Sequence, residues 1–279
     1  MKIAVIGTGT LGPSIAQVFA QCEEIEHVFL CKGRESSKRD GKEGLDRMYQ
    51  RLVERGKLTR QAADSYLNKI ETGNLELAAG ADFLIEAVAE DLQIKRMVFK
   101  KLDLICDKHT AFATNTSSLS VSAIGEGLSR PLVGMHFFNP APVMKLVEVI
   151  AAEQAPQEAV CFAADLAKKI GKTPVIVQEA PGFVVNRILI PMINEAIGIY
   201  AEGIASVEDI DTAMKLGANH PIGPLALGDL IGLDVVLAIM ETLLQETGDT
   251  KYLPQPLLKK MVREKTLGKK TGRGFYLYQ

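Results

Sequence analysis

The chain has no tryptophan, and only four of its 279 residues are cysteine. Cys22, Cys31, Cys106 and Cys161 lie far apart and form no metal-like pair. That excludes a disulfide framework and a zinc ribbon, and it predicts free thiols in a reduced, cytoplasmic setting with no metal site. Neither sign of charge dominates, since 32 Lys and Arg face 34 Asp and Glu for a formal net charge of -2. A chain so balanced lacks the basic surface that nucleic acid or an anionic membrane selects. No apolar run is long enough to cross a bilayer, and no internal repeat or low-complexity segment is visible. Met1-Lys2 passes directly into a strand-like run, so no targeting leader is expected ahead of the fold.

What is present is material for a sizeable core, with hydrophobic residues at 47% and length for one large domain or two unequal ones. Lys2-Ile3-Ala4-Val5-Ile6 reads as a strand buried on both faces, and it runs into Gly7-Thr8-Gly9-Thr10-Leu11-Gly12. In a strand–glycine loop–helix context the three glycines serve a tight turn, close approach of backbone to a pyrophosphate, and contact between helix and sheet. The following helix offers unpaired N–H groups and partial positive charge to a phosphate. Gly7, Gly9, Thr10, Leu11 and Gly12 are therefore the candidate dinucleotide-binding residues.

The second strand, His27-Val28-Phe29-Leu30-Cys31, departs from the usual pattern. A carboxylate normally ends it and accepts from the ribose 2′-OH, whereas Lys32 stands near that place here. Lys32 and Arg34, with a hydroxyl from Ser36 or Ser37, would attract a 2′-phosphate, so NADP is expected in preference to NAD. A solvated basic turn is the alternative reading of the same residues.

To about residue 180 the pattern alternates strand and helix. Apolar runs at 83–88, 111–115, 132–137, 146–150 and 174–177 complete a mostly parallel sheet, and extra helices occupy residues 38–69. From Pro181 the periodicity is helical, with segments at 183–197, 207–216, 233–244 and 256–262. The expected fold is thus a Rossmann-type mostly parallel sheet with helices on both faces, residues 1–180, followed by an all-helical domain, residues 181–279. The second domain's apolar helices predict a homodimer or larger homo-oligomer.

A hydride transferase acting on an alcohol needs a base for the hydroxyl proton and a partner that orients the base. His136 ends one apolar strand and Glu148 lies on the next, where adjacent strands would bring carboxylate to imidazole. Position alone also leaves His136 open to a purely structural role.

Four segments settle on one family: Asn115-Thr116-Ser117-Ser118-Leu119, the run from Met135 to Met144, Ala180-Pro181-Gly182-Phe183-Val184-Val185-Asn186-Arg187, and Thr271-Gly272-Arg273-Gly274-Phe275-Tyr276. Carrying them in this order, the chain resembles the L-3-hydroxyacyl-CoA dehydrogenases nearly end to end, and within them the bacterial 3-hydroxybutyryl-CoA branch. The resemblance implies an NAD(P)-dependent enzyme on an acyl-CoA substrate, reducing acetoacetyl-CoA in a butyrate-type fermentation. It implies His136 as general acid–base with Glu148 orienting it, and Ser117 and Asn186 as hydrogen-bonding groups around substrate oxygens and nicotinamide, in a cleft between the domains. It further implies cofactor contacts at Glu90, Lys95 and Asn139, and coenzyme A phosphates against Arg51, Arg55 and Lys57. A hydroxyacid or sugar-acid dehydrogenase of the same superfamily, and a dinucleotide-binding protein without turnover, are the competing readings.

Overall fold

The strands of the first unit, Met1–Glu179, form one sheet, and most of them are runs too short for a helix and apolar on both sides. They are β1 (Lys2–Ile6), β2 (His27–Cys31), β3 (Ile70–Gly73), β4 (Phe83–Glu86), β5 (Ala111–Thr114), β6 (Leu132–Phe137), β7 (Leu146–Ala151) and β8 (Thr173–Gln178). The helices between them are α1 (Leu11–Ala20), α2 (Lys42–Glu54), α3 (Arg60–Asn68), α4 (Leu92–Ile105), α5 (Val121–Gly125) and α6 (Gln157–Lys169). The computed structural model describes residues 1–34 and 41–278.

The strand order is β3-β2-β1-β4-β5-β6-β7-β8. The chain steps outward from β1 to β3, then returns to place β4 on the other flank of β1. That reversal opens a crevice beyond the carboxyl ends of β1 and β4, where doubly wound sheets bind ligands. All neighbouring strands are parallel except β6 and β7. The sheet is thus Rossmann-type and mostly parallel, as the alternation predicts. One strand was not legible: β3 is a half-exposed edge strand of sequence Ile-Glu-Thr-Gly, too polar and too short to separate from the end of α3.

Local chemistry fixes the helix starts. Thr59 Oγ1 accepts from Ala62 N at 3.2 Å, Asp91 Oδ1 from Ile94 N at 2.9 Å and Ser120 Oγ from Ala123 N at 3.0 Å. The core beneath α1 is aromatic, with Phe19 set 6.4 Å from Phe83 and 6.3 Å from Phe137 between ring centroids.

The second unit, Ala180–Gln279, comprises α7 (Val185–Ala201), α8 (Val207–Gly217), α9 (Pro224–Ile231), α10 (Leu233–Thr247) and α11 (Pro256–Arg263). Ile190, Ile193, Ile197, Leu225, Leu233, Met240 and Leu243 form its core. Two buried carboxylates tie it together. Asp211 accepts from Leu225 N and Ala226 N, at 2.8 and 2.9 Å, and so caps α9, and it also accepts from Tyr276 Oη at 2.9 Å. Asp229 accepts from Phe275 N, Tyr276 N and Tyr278 Oη at 2.9–3.0 Å. The Phe275-Tyr276 end of the Thr271–Tyr276 motif is therefore tied to this unit and packs against its core. Beside these acceptors, and with burial, the phenols of Tyr276 and Tyr278 are pushed well above their ordinary range.

Candidate active site

The loop after β1 is built for a backbone that must come close to something. Gly7 has φ +129°, and a Cβ there would collide with the Ala87 carbonyl. A Cβ on Gly12 would collide with the Gly7 carbonyl, whereas one on Gly9 would meet nothing within 4 Å. The turn, the helix–sheet contact and the open approach that a dinucleotide loop needs are thus three distinct glycines. The loop lines a cavity of about 600 Å³ with Ala87, Val88 and Ala89 from the end of β4, and with Gly33 and Arg34 from the end of β2. The residues present fit an extended dinucleotide with its phosphates against the loop.

Past β2, Lys32 holds its backbone in register by donating its N–H to Gly73 O at 2.8 Å. It lines an adjoining cavity of about 250 Å³ that shares Gly33 and Arg34 with the first and also takes in Glu76 and Lys101. Lys32 and Arg34 thus stand where the cofactor choice is expected to be made. Ser36 and Ser37 lie outside the described residues.

The β6–β7 pairing decides the next feature. These strands run antiparallel with His136 directly opposite Glu148, so both side chains leave the same face at the close spacing of a cross-strand pair. His136 Nδ1 lies 2.8 Å from Glu148 Oε2, with the two side chains 7% and 1% exposed. The ring of Phe138 packs against the imidazole at 4.4 Å between centroids. Asn115, at the end of β5, accepts from Phe137 N at 2.7 Å and fixes the neighbouring backbone. Asn139 follows on an exposed loop, joined to Pro140 by a cis peptide bond. Lys172 braces that loop from beneath by donating to Ala141 O and Met144 O at 2.6 and 2.9 Å. Burial lowers the Lys172 ammonium from its usual range.

Glu90 gathers the turn after β5. Its Oε1 accepts from Thr116 Oγ1 and Ser117 N at 2.7 Å, from Ser117 Oγ at 3.0 Å and from Ser118 N at 3.1 Å. Its Oε2 lies 3.4 Å from Lys95 Nζ. Burial alone would raise this carboxyl, but Lys95 and the donors of Thr116 and Ser117 hold it below the usual carboxylate range. Lys95 is itself wholly buried, and its ammonium is spent on Glu90 and on Glu86, which it meets at 2.8 and 3.0 Å. Expected as a cofactor contact, Lys95 is placed by the structure behind Glu90, where an unpaired ammonium would be costly.

Asn186 is buried in the first turn of α7 in the second unit. Arg51, Arg55 and Lys57 are exposed on and just after α2. Sequence reasoning missed Glu86, Thr114 and Lys172. An acid closing the run Phe-Leu-Ile-Glu was the available signal, since a charge in a strand buried on both faces must be paired.

Among the described residues no helix is long and apolar enough to cross a membrane, and no group of three or more His, Cys, Asp or Glu is placed to hold a metal.

Comparison with known proteins gives a consistent set of likenesses. The family described as 3-hydroxyacyl-CoA dehydrogenase, NAD binding domain, matches residues 2–180, and its C-terminal domain matches residues 182–278. A 3-hydroxybutyryl-CoA dehydrogenase of Clostridioides difficile is 54% identical, over 100% of this chain and 99% of its own. The human mitochondrial hydroxyacyl-coenzyme A dehydrogenase is 39% identical, over 99% and 91%. The solved (S)-3-hydroxybutyryl-CoA dehydrogenase of Ralstonia eutropha superposes with a TM-score of 0.92 at 42% identity, covering 100% and 99% of the two chains. With an NAD-binding unit, a helical unit and relatives matched over their full lengths, the chain belongs to the 3-hydroxyacyl-CoA dehydrogenase family.

Proposed function

We propose that this protein moves a hydride between a nicotinamide dinucleotide and carbon 3 of a short-chain L-3-hydroxyacyl-CoA, with the four-carbon 3-hydroxybutyryl group as its substrate and acetoacetyl-CoA reduction as its working direction. The observation that carries this reading is the buried His136–Glu148 pair, in the same unit as the glycine-loop cavity. The names of the Clostridioides difficile and Ralstonia eutropha relatives support the acyl group.

A bound nicotinamide supplies or accepts the hydride. The protein's own task is then one proton. Glu148 accepts from Nδ1–H of His136, a tautomer that puts the ring's basic lone pair on Nε2. In oxidation Nε2 takes the proton of the 3-hydroxyl, and in reduction the imidazolium returns it. Glu148 stabilises that imidazolium and keeps the ring from turning. Ser117 and Asn186 hydrogen-bond the reacting oxygen and the carboxamide, Asn139 and Glu90 border the cofactor, and Arg51, Arg55 and Lys57 meet the coenzyme A phosphates.

The finer choice of cofactor rests on Lys32 and Arg34. With Lys32 near the usual place of the ribose-binding acid and Arg34 lining the cavity, NADP(H) is the preferred form. Exposed apolar side chains on the second unit, among them Ile188, Leu216 and Leu230, support a homodimer or larger assembly through that unit.

With acetoacetyl-CoA as substrate, His136→Ala lowers kcat by about 100-fold or more, while NADPH binding followed by fluorescence is unchanged. Glu148→Gln is milder, because the ring keeps a hydrogen-bond partner; full activity of the His136 variant overturns the mechanism. The ratio of kcat/KM for NADPH over NADH is expected at about ten to a few hundred, from one or two charge-assisted hydrogen bonds. It falls with added salt and inverts in Lys32→Asp with Arg34→Ala. A native enzyme that favours NADH makes the basic turn mere solvated surface.

Replacing Arg51, Arg55 and Lys57 together by Ala raises KM for acetoacetyl-CoA, most at low ionic strength. A substrate truncated before the nucleotide part of coenzyme A is insensitive to that change, and equal effects on both substrates place the phosphates elsewhere. Light scattering at micromolar concentration shows a dimer or larger species, and a monomer refutes the assembly.

A further inference from the structure

The Glu86 carboxylate at the end of β4 has no exposure to solvent, yet each of its oxygens is claimed twice. Oε1 accepts from Val88 N at 2.6 Å and Lys95 Nζ at 2.8 Å, and Oε2 from Thr114 Oγ1 at 2.6 Å and Lys95 Nζ at 3.0 Å. Lys95 then reaches Glu90, and Glu90 receives the Ser117 hydroxyl and the amides of Ser117 and Ser118. A continuous chain of charge and hydrogen bonds thus runs from inside the sheet to the turn after β5. Burying the Glu86 carboxylate with Lys95 confers little stability that apolar side chains of the same volume would not. The arrangement does confer direction. An ionised Glu90 only accepts, so the Ser117 Oγ–H is directed at it, and the role left to the Ser117 oxygen is that of an acceptor.

We propose that Glu86 is a positioning residue which, through Lys95 and Glu90, holds Ser117 as a hydrogen-bond acceptor for a donor group of the bound ligands, the substrate 3-hydroxyl or the nicotinamide carboxamide. It rests on the reading of Ser117 given above. Glu86 touches neither ligand: the cavity wall begins at Ala87, one residue on. Its effect is therefore transmitted through Lys95 and Glu90 and disappears when the Ser117 hydroxyl is removed.

The test is a double-mutant cycle on the whole enzyme with a structural readout beside it. Glu86→Gln keeps the shape and removes the charge that balances Lys95. It is expected to lower kcat about tenfold, with KM for acetoacetyl-CoA and the Kd for reduced cofactor, from fluorescence titration, moving less than about threefold. In a Ser117→Ala background the same change costs less than about twofold further, as for residues that act as one unit. In cofactor-free protein, hydrogen exchange quickens at Ser117 and Ser118, whose amides Glu90 holds, and not along β6. Should Glu86→Gln fail to fold, Thr114→Val, which removes one hydrogen bond to Glu86, carries the same two measurements with about a threefold kinetic effect.

Effects of Glu86→Gln and Ser117→Ala that multiply overturn the proposal, as does exchange that rises uniformly through the sheet, the mark of a merely structural role. A Ser117→Ala enzyme with unaltered kcat overturns the reading of Ser117 itself and the proposal with it. The two failures are distinguished by that single variant.

Discussion

Strands buried on both faces have no side chain to give to solvent along their length, and this constraint places everything else in the first unit. β1, β4 and β6 are apolar almost throughout, and their backbones are committed to neighbours. Polar chemistry is pushed to the carboxyl ends, where Gly7, Ala87, Asn115 and His136 follow or close their strands. The reversal of winding between β1 and β4 then makes one part of that edge a crevice and not a ridge.

The polar groups gathered there are costly to bury, and the structure meets the cost by pairing. His136 has Glu148, Lys95 has two carboxylates, and Glu90 has a whole turn of donors. Such arrays are rigid in a way an apolar wall is not, because each member loses its partner if it moves. The second unit uses the same device for its own cohesion, with Asp211 and Asp229 binding the last residues of the chain to α8 and α9. The region after β2 is the exception: Lys32 and Arg34 border cavities without a buried partner set of this kind among the described residues. Charge there is screened by solvent, while the His136–Glu148 pair is sheltered from it.

Much of this architecture is legible in the sequence because its signals are local. The run Lys2–Ile6 and the glycines after it declare strand, turn and helix within a dozen residues. What stays hidden is pairing at a distance. Nothing in Leu132–Phe137 or Leu146–Ala151 says that these two strands alone run antiparallel, though that sets His136 opposite Glu148. Helix α9 is masked by Pro221, Gly223 and Pro224, which read as a loop until Pro224 is seen in the first turn, a position that tolerates it. Glu86 is masked in the opposite way. An acid at the end of an apolar run resembles a strand terminus at the surface, and only the fold brings Thr114 and Lys95 to it.

The antiparallel hairpin of β6 and β7 also bears on how the site comes together as the chain folds. His136 and Glu148 are 12 residues apart, whereas the contact that begins the β1–β4 pairing, Lys2 with Asp82, spans 80. Closing the longer loop costs about 1.7 kcal/mol more in chain entropy than closing the shorter. The His136–Glu148 pair is therefore a short-range contact that a hairpin can assemble on its own account. The dinucleotide half waits for segments far apart in the chain to find one another.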